Sequence, residues 1–510
     1  MGGRNTYASG FGASVTGGDY STADGDYAHA TGGSSNSASG DMSTISGGTD
    51  CGVSGKGSTV SGGVGNLAKG SFYTVVGGGK NTVIKGSAGS NGATIRGGYS
   101  NSMRSSNYGM VGGGNGNNAF GPYSSIGGGY KNTVASGYSS AVLGGYRNTA
   151  YGDNTFIGGG YFNTVGEMGT VIGGMSIEAN SDSVSIGGGS KHEFKGDFNT
   201  GIGGQMNAGE ADYSAVIGGS YNTAGGGSIG GGTAHSASGV GGVISGGIGH
   251  TASGDYHSLS GGYYNRAKGD GSGVGGGKLN TASGRYSVIS GGSTSSTSGK
   301  FSYVAGGGYN TVDGPNSAIL GGSSNLINGD GYSVINGGKT STARGGYSTV
   351  GGGLSNRALS NYASVAGGYR NKANARFSAV TGGSKNTVSG RFGFAHGLGA
   401  KVSADYSAAI ALTGDECTTR NANTFGICAD QFLITDSGGS TNDVVDFISS
   451  SRRVLAEQEV HTSTLNSIAK SVDEQIKVQN EVSVDLQQLS KSLDALAKRV
   501  HAIDYSSLSH

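Results

Sequence analysis

Apolar residues recur along this chain at two positions per repeat, each inside a short alternation with polar residues. The smaller position holds Ala8, Ala23, Ala38, Val53 and Ala68 and, further on, Ala252, Ala267 and Ala282. The larger holds Val15, Ile45, Val60, Val75, Ile126, Val288 and Val365. Alternation of period two marks a strand with one buried face, so each repeat predicts two short strands. Glycine doublets punctuate the pattern, starting at Gly2, Gly17, Gly32, Gly47, Gly62 and Gly77 and continuing to Gly382. They define about 26 units, mostly of 15 residues, with slips near 77–97 and 219–231. That period is too short for helical repeats or propeller blades. It predicts an all-β repeat protein, a β-solenoid with one coil per unit.

Many units place two large apolar residues side by side: Val75-Val76, Val142-Leu143, Val216-Ile217, Val288-Ile289 and Val334-Ile335. Neighbours on a strand face opposite sides, so one member of each pair fills the coil and the other points outward. A lone solenoid would expose a ladder of Val, Leu and Ile. The pairs therefore predict an oligomer that packs these ladders together.

The repeat decays after Gly397, charged residues become common beyond about 450, and a heptad emerges. Leu465, Val472, Gln479, Leu486, Leu493 and Val500 take the a positions; Ile468, Gln475, Val482, Leu489, Leu496 and Ile503 take d. About six unbroken heptads predict a coiled coil. The alternative, one amphipathic helix on a globular core, lacks a preceding core to pack on. Gln475 and Gln479 form polar layers that fix register at a cost in stability.

Composition narrows the function classes. Of 510 residues 109 are Gly, 2 are Pro and 13% are charged, so the regular apolar spacing reads as order rather than disorder. A net charge of +1 gives no overall footprint for nucleic acid or an anionic membrane. No apolar run is long enough to predict a membrane-spanning helix. The start, MGGRNTYASG, has no apolar signal-peptide core; MGGRNT fits a myristoylation pattern but is also one more repeat in phase.

Catalytic chemistry finds little support. The nine His are scattered without HExxH or a Cys/His cluster, so no metal is predicted. GSGVGG at 271–276 matches a dinucleotide fingerprint by letter but has no βαβ unit around it, and GKT at 338–340 lacks the earlier P-loop glycine. The recurring Asp of calcium-binding β-rolls is missing. No cofactor and no enzymatic activity are expected. Two ladders remain as candidates. Aromatics preceding the core valine, among them Tyr123, Tyr138, Tyr213, Tyr256 and Tyr286, either stack on one another or grip glycans. Asn-Thr steps such as Asn132-Thr133 and Asn280-Thr281 either bond between coils or order water.

The unit YSAVIGGSYNTASG, spliced from adjacent copies, resembles the head repeat of trimeric autotransporter adhesins, the YadA-like head. The resemblance covers about Gly2 to Leu412 and extends to domain order, with the heptad helix following. It implies three left-handed parallel β-rolls about a threefold axis, with the outer Val-Ile residues at that axis, then a neck and a trimeric stalk. The corresponding boundaries are 1–396 for the rolls, 397–450 for a neck or cap, 451–503 for the stalk and 504–510 for a tail. The sequence departs from the family in having no visible signal peptide and no alternating strands for a membrane anchor after Ile503. The glycine-rich repeats also look like segments in phage and large-virus fibres, whose proteins need no signal peptide. In the neck, Cys417 and Cys428 either bridge or stay as buried thiols, and an extracellular setting permits the bridge.

These readings converge on a non-enzymatic homotrimeric surface fibre, extracellular or on a virion, acting as spacer and attachment protein for a surface glycan or host-cell receptor. The alternatives are a filament assembling end to end and a solenoid binding ice or polysaccharide along one face. Neither nucleic-acid binding nor membrane insertion is expected.

Overall fold

The structure, a computed structural model, describes residues 3–84, 92–104, 106–413, 417–430, 433–435, 441–443 and 470. It divides into two compact units, 1–250 and 251–510. Each is a parallel β-solenoid of the same coil, and the coils number about 27, with about 15 residues in each.

One coil from each unit shows the construction. In the first unit Gly62 and Gly63 lead to the strand Leu67–Ala68, a corner at Gly70, and the strand Thr74–Val75. In the second unit Gly276 and Gly277 lead to Thr281–Ala282, a corner at Gly284, and Val288–Ile289. Corresponding strands of successive coils pair in parallel and in register: Ala68 with Val83, Val75 with Val60, Ala282 with Thr297, Ile289 with Val304. Two sheets result, a first lined inside mostly by Ala, with larger exceptions such as Val83, Met103, Phe194 and Ile327, and a second lined mostly by Val and Ile. Ala68, Val75, Ala282 and Ile289 are fully buried.

The corners demand unusual backbone. Each coil turns twice through a left-handed residue, such as Leu279 (φ 57°) and Tyr286 (φ 56°). Such residues are uncommon outside glycine, and here an inter-coil bond holds each one: Leu279 N–H donates to Tyr263 O (2.9 Å) and Tyr286 N–H to Asp270 O (2.8 Å). Gly284 has no positive φ. A Cβ there would overlap the Gly299 backbone of the next coil, so close stacking alone requires glycine.

The inside/outside alternation of the apolar pairs holds, but their phase corrects the sequence reading. Val75, Val142 and Val216 are interior and Val76, Leu143 and Ile217 point outward. At the later pairs the order reverses: Ile289 and Ile335 are fully buried, while Val288 is 38% exposed and Val334 is half-buried. Val288 therefore does not belong to the interior row. The interior residue always stands two before the glycine doublet: Val216 before Gly218, Ile289 before Gly291.

Parallel pairing continues past the 396/397 boundary through Phe394–Gly397, Ala408–Ala411 and Phe425–Cys428. Beyond it Leu433–Thr435 pairs antiparallel with Thr441–Asp443. The heptad residues from Leu465 to Ile503 lie outside the described residues.

Candidate functional site

The asparagines of the Asn-Thr steps are interior, and they join the coils. Asn132 is fully buried. Its N–H donates to Asn117 Oδ1 (2.9 Å), its Nδ2 donates to Gly128 O (2.9 Å) and Gly145 O (3.0 Å), and its own Oδ1 accepts from Asn148 N–H (3.0 Å). The second unit repeats the set at Asn280. This geometry needs the second glycine of the doublet: Gly129 has φ +91°, and a Cβ there would collide with Gly145 and crowd Asn132 Nδ2. These buried amides are structural.

Histidine enters the same row. His192 and His235 accept the next coil's N–H through Nδ1 at 3.1 and 3.0 Å, so an imidazole can replace the asparagine acceptor. Burial lowers the pKa of His192 and His257. His235 is lowered to about 4, by burial first and then by His250, whose ring stacks on it at 4.9 Å. Among the described residues no group of three His, Cys, Asp or Glu is placed to hold a metal.

The five candidate tyrosines do not share one ladder. Except for Tyr138 they occupy the left-handed corner before the second strand, three residues before the interior position. Tyr123 lies 4.9 Å from Tyr138 with the rings tilted by 55°; Tyr213 stacks on Phe198 at 5.2 Å and Tyr286 on Phe301 at 5.2 Å. Tyr256 takes the same corner in its own coil. The hydroxyl contact with Tyr138 raises the Tyr123 pKa. The longest stack runs from Tyr332 through Tyr347, Tyr362, Phe377 and Phe392 to Tyr406, at 4.8–5.0 Å and nearly parallel. Rings stacked this way spend their faces on each other, which leaves edges rather than platforms for a sugar.

The outward face of the second sheet is the more distinctive surface. Val76, Leu143 and Ile217 are 47%, 57% and 53% exposed. Beside them runs the first glycine of each doublet, including Gly144, Gly218 and Gly291. A Cβ at these three would meet nothing within 4 Å, and none has a φ that favours glycine. Earlier in the first unit the same face is hydroxylic, with Thr16, Thr31, Thr44 and Thr59.

Cys417 and Cys428 are joined in a disulfide, with Cα atoms 5.6 Å apart. Cys428 ends the last parallel strand and Cys417 immediately precedes Thr418–Thr419. Cys51 is a buried free thiol in the asparagine row, its N–H donated to Asn36 Oδ1. Among the described residues no helix is long and apolar enough to cross a membrane. No family model matches the chain, and neither does any curated protein.

Proposed function

We propose that this protein is a non-enzymatic homotrimeric fibre, extracellular or on a virion surface, that serves as a spacer and attachment protein. The observation that carries the reading is the outward face of the second sheet. Val76, Leu143 and Ile217 are about half exposed, so covering each with a partner chain would gain roughly 1 kcal/mol. Glycine costs about 0.5–1 kcal/mol relative to alanine in regular structure. At Gly144, Gly218 and Gly291 glycine meets neither a steric nor a conformational need within the chain, which leaves room for a second backbone to approach. Packing this face against two other copies supplies that backbone and covers the apolar ladder. The heptads after 465 would then hold three chains in register, as in the YadA-like architecture that the repeat resembles.

Electron microscopy of the purified full chain tests this reading. Isolated particles of uniform length support the fibre. Continuous strings overturn it in favour of end-to-end assembly.

A further inference from the structure

Tyr108, Tyr123 and Tyr138 stand on three successive coils of the 1–250 unit and depart from the other stacks. At Phe198–Tyr213, Tyr286–Phe301 and along the run from Tyr332 to Tyr406, neighbouring rings are within 12° of parallel. Tyr108 and Tyr123 are tilted by 26° with centroids 5.6 Å apart, and Tyr123 and Tyr138 by 55° at 4.9 Å. The cause is one extra residue. The doublets starting at Gly128 and Gly144 are 16 residues apart instead of the usual 15, so the left-handed residue of that corner is Ser139 (φ 58°) and Tyr138 precedes it. The displaced ring leans over Tyr123 and brings the two hydroxyls into a hydrogen bond.

We propose that Tyr123 and Tyr138 are a modification site, at which a peroxidase-type one-electron oxidant couples their rings into dityrosine. Both side chains are open to such an oxidant, at 44% and 50% exposure. Both backbones are pinned: Tyr123 N–H donates to Asn107 O (2.7 Å) and Tyr138 N–H to Asp153 Oδ1 (2.7 Å). Two radicals generated here need not find each other by diffusion, because the fold already holds the reacting groups together. The hydroxyl contact also places their ring carbons beside the oxygens, the Cε atoms, in the same neighbourhood. The site lies at the corner between the two strands of a coil, whereas the glycine doublets of the trimer face lie at the other corner.

The competing pairs are less suited. Tyr130 and Tyr146 stack at 4.9 Å, but both are half-buried and carry Lys131 and Arg147 over their rings at 5.1 and 5.4 Å. A cation over a ring is attracted by the electrons that an oxidant must remove. Among the described residues no lysine or arginine stands over Tyr123 or Tyr138. Tyr332 and Tyr347 are half-buried as well.

Hydrogen peroxide supplies the oxidising power through the peroxidase. Its O–O bond breaks, and it leaves as two waters after taking one electron and one proton from each phenol. The two phenoxyl radicals join through a new Cε–Cε bond. The hydrogens on the joined carbons then pass to the phenolic oxygens, which restores both aromatic rings. The pair loses two hydrogens in all. The link ties two neighbouring coils across a sequence separation of 15, and such a closed loop restrains local opening.

A haem peroxidase with limiting hydrogen peroxide, applied to the dilute full chain, is the test. The monomer band from a denaturing gel is cleaved after lysine and arginine and analysed by mass spectrometry. Peptides 105–131 and 132–147 should remain joined, at a mass two hydrogens below their sum, with fragment ions placing the bond between Tyr123 and Tyr138. Tyr123→Phe and Tyr138→Phe, which keep the ring and remove the phenol, should each lose that product. Tyr130→Phe should keep it, which separates it from a Tyr130–Tyr146 link between the same peptides. Circular dichroism confirms that the variants fold. Absence of the joined peptides, their survival in either of the first two variants, a bond formed to Tyr108 instead, or joined peptides found only in higher-mass bands would overturn the proposal. Because the link forms within one chain, a monomeric protein that gives this product refutes the trimer and upholds the site, and a trimer without it does the reverse.

Discussion

Replacing Asn132 with alanine tests the physical core of the fold. The change removes the acceptor for Asn148 N–H and the Nδ2 donor to Gly128 O and Gly145 O. Gly145 O keeps a second donor, Tyr130 N–H at 2.9 Å, so the main loss falls on the buried Asn148 N–H and, less, on the part-buried Gly128 O. At roughly 1–3 kcal/mol for an unsatisfied buried group and less for a part-buried one that water reaches, the cost is about 2–4 kcal/mol. In a solenoid each coil contacts only its neighbours, so the loss is local. The assay is hydrogen exchange read by mass spectrometry over 144–150, where a cost of about 3 kcal/mol speeds opening by about a hundredfold. Asn132→Ser should be milder, because Ser295 already accepts the next coil's N–H in this row at 3.3 Å. Asn132→Asp should be worse than either, since it buries a carboxylate oxygen against two carbonyls. Unchanged exchange in Asn132→Ala, or Asp tolerated as well as Ser, would refute the argument.

Three further outcomes follow from the same structure. His235 has its pKa lowered from 6.5 to about 4, so the unfolded chain binds the proton first. Stability should be complete above pH 6.5 and fall as pH drops toward about 4, by up to about 3 kcal/mol; His235→Asn should remove much of that slope in a melting series, and an unchanged slope would contradict the assignment. Reducing Cys417–Cys428, which closes a loop with a sequence separation of 11, should cost roughly 2–3 kcal/mol. Faster exchange confined to 418–428 is the expected result, and unchanged exchange the contrary one. Gly284→Ala should destabilise its coil, because the added Cβ meets the Gly299 backbone, whereas Gly291→Ala should leave a coil's own stability intact and weaken chain association. Equal effects of the two on melting would undo the distinction between the glycine rows.

Much of the fold was legible because the repeat averages its own signal. The doublets fixed the period and the alternating residues fixed two strands per coil. Phase was harder. Val288 and Ile289 are chemically alike, so hydrophobicity alone did not say which one enters the coil; counting back from Gly291 does. The repeat's decay after Gly397 reflected a change of residue types rather than of backbone, since His396 and Ile410 still pair in register. The aromatic positions and their stacking were open to reading, but the departure of Tyr138 from the row was not, because it differs from Tyr123 only in standing one residue before its coil's left-handed corner.

Sedimentation velocity on the full chain tests the central claim most directly, because it reports mass and friction together. The account predicts one species near three times the 50.1 kDa chain, about 150 kDa, with high friction, and a shift to the monomer mass in the Leu143→Asp/Ile217→Asp variant, which places charge on the apolar face. A wild-type protein that sediments as a 50.1 kDa monomer would leave that face uncovered and contradict the account.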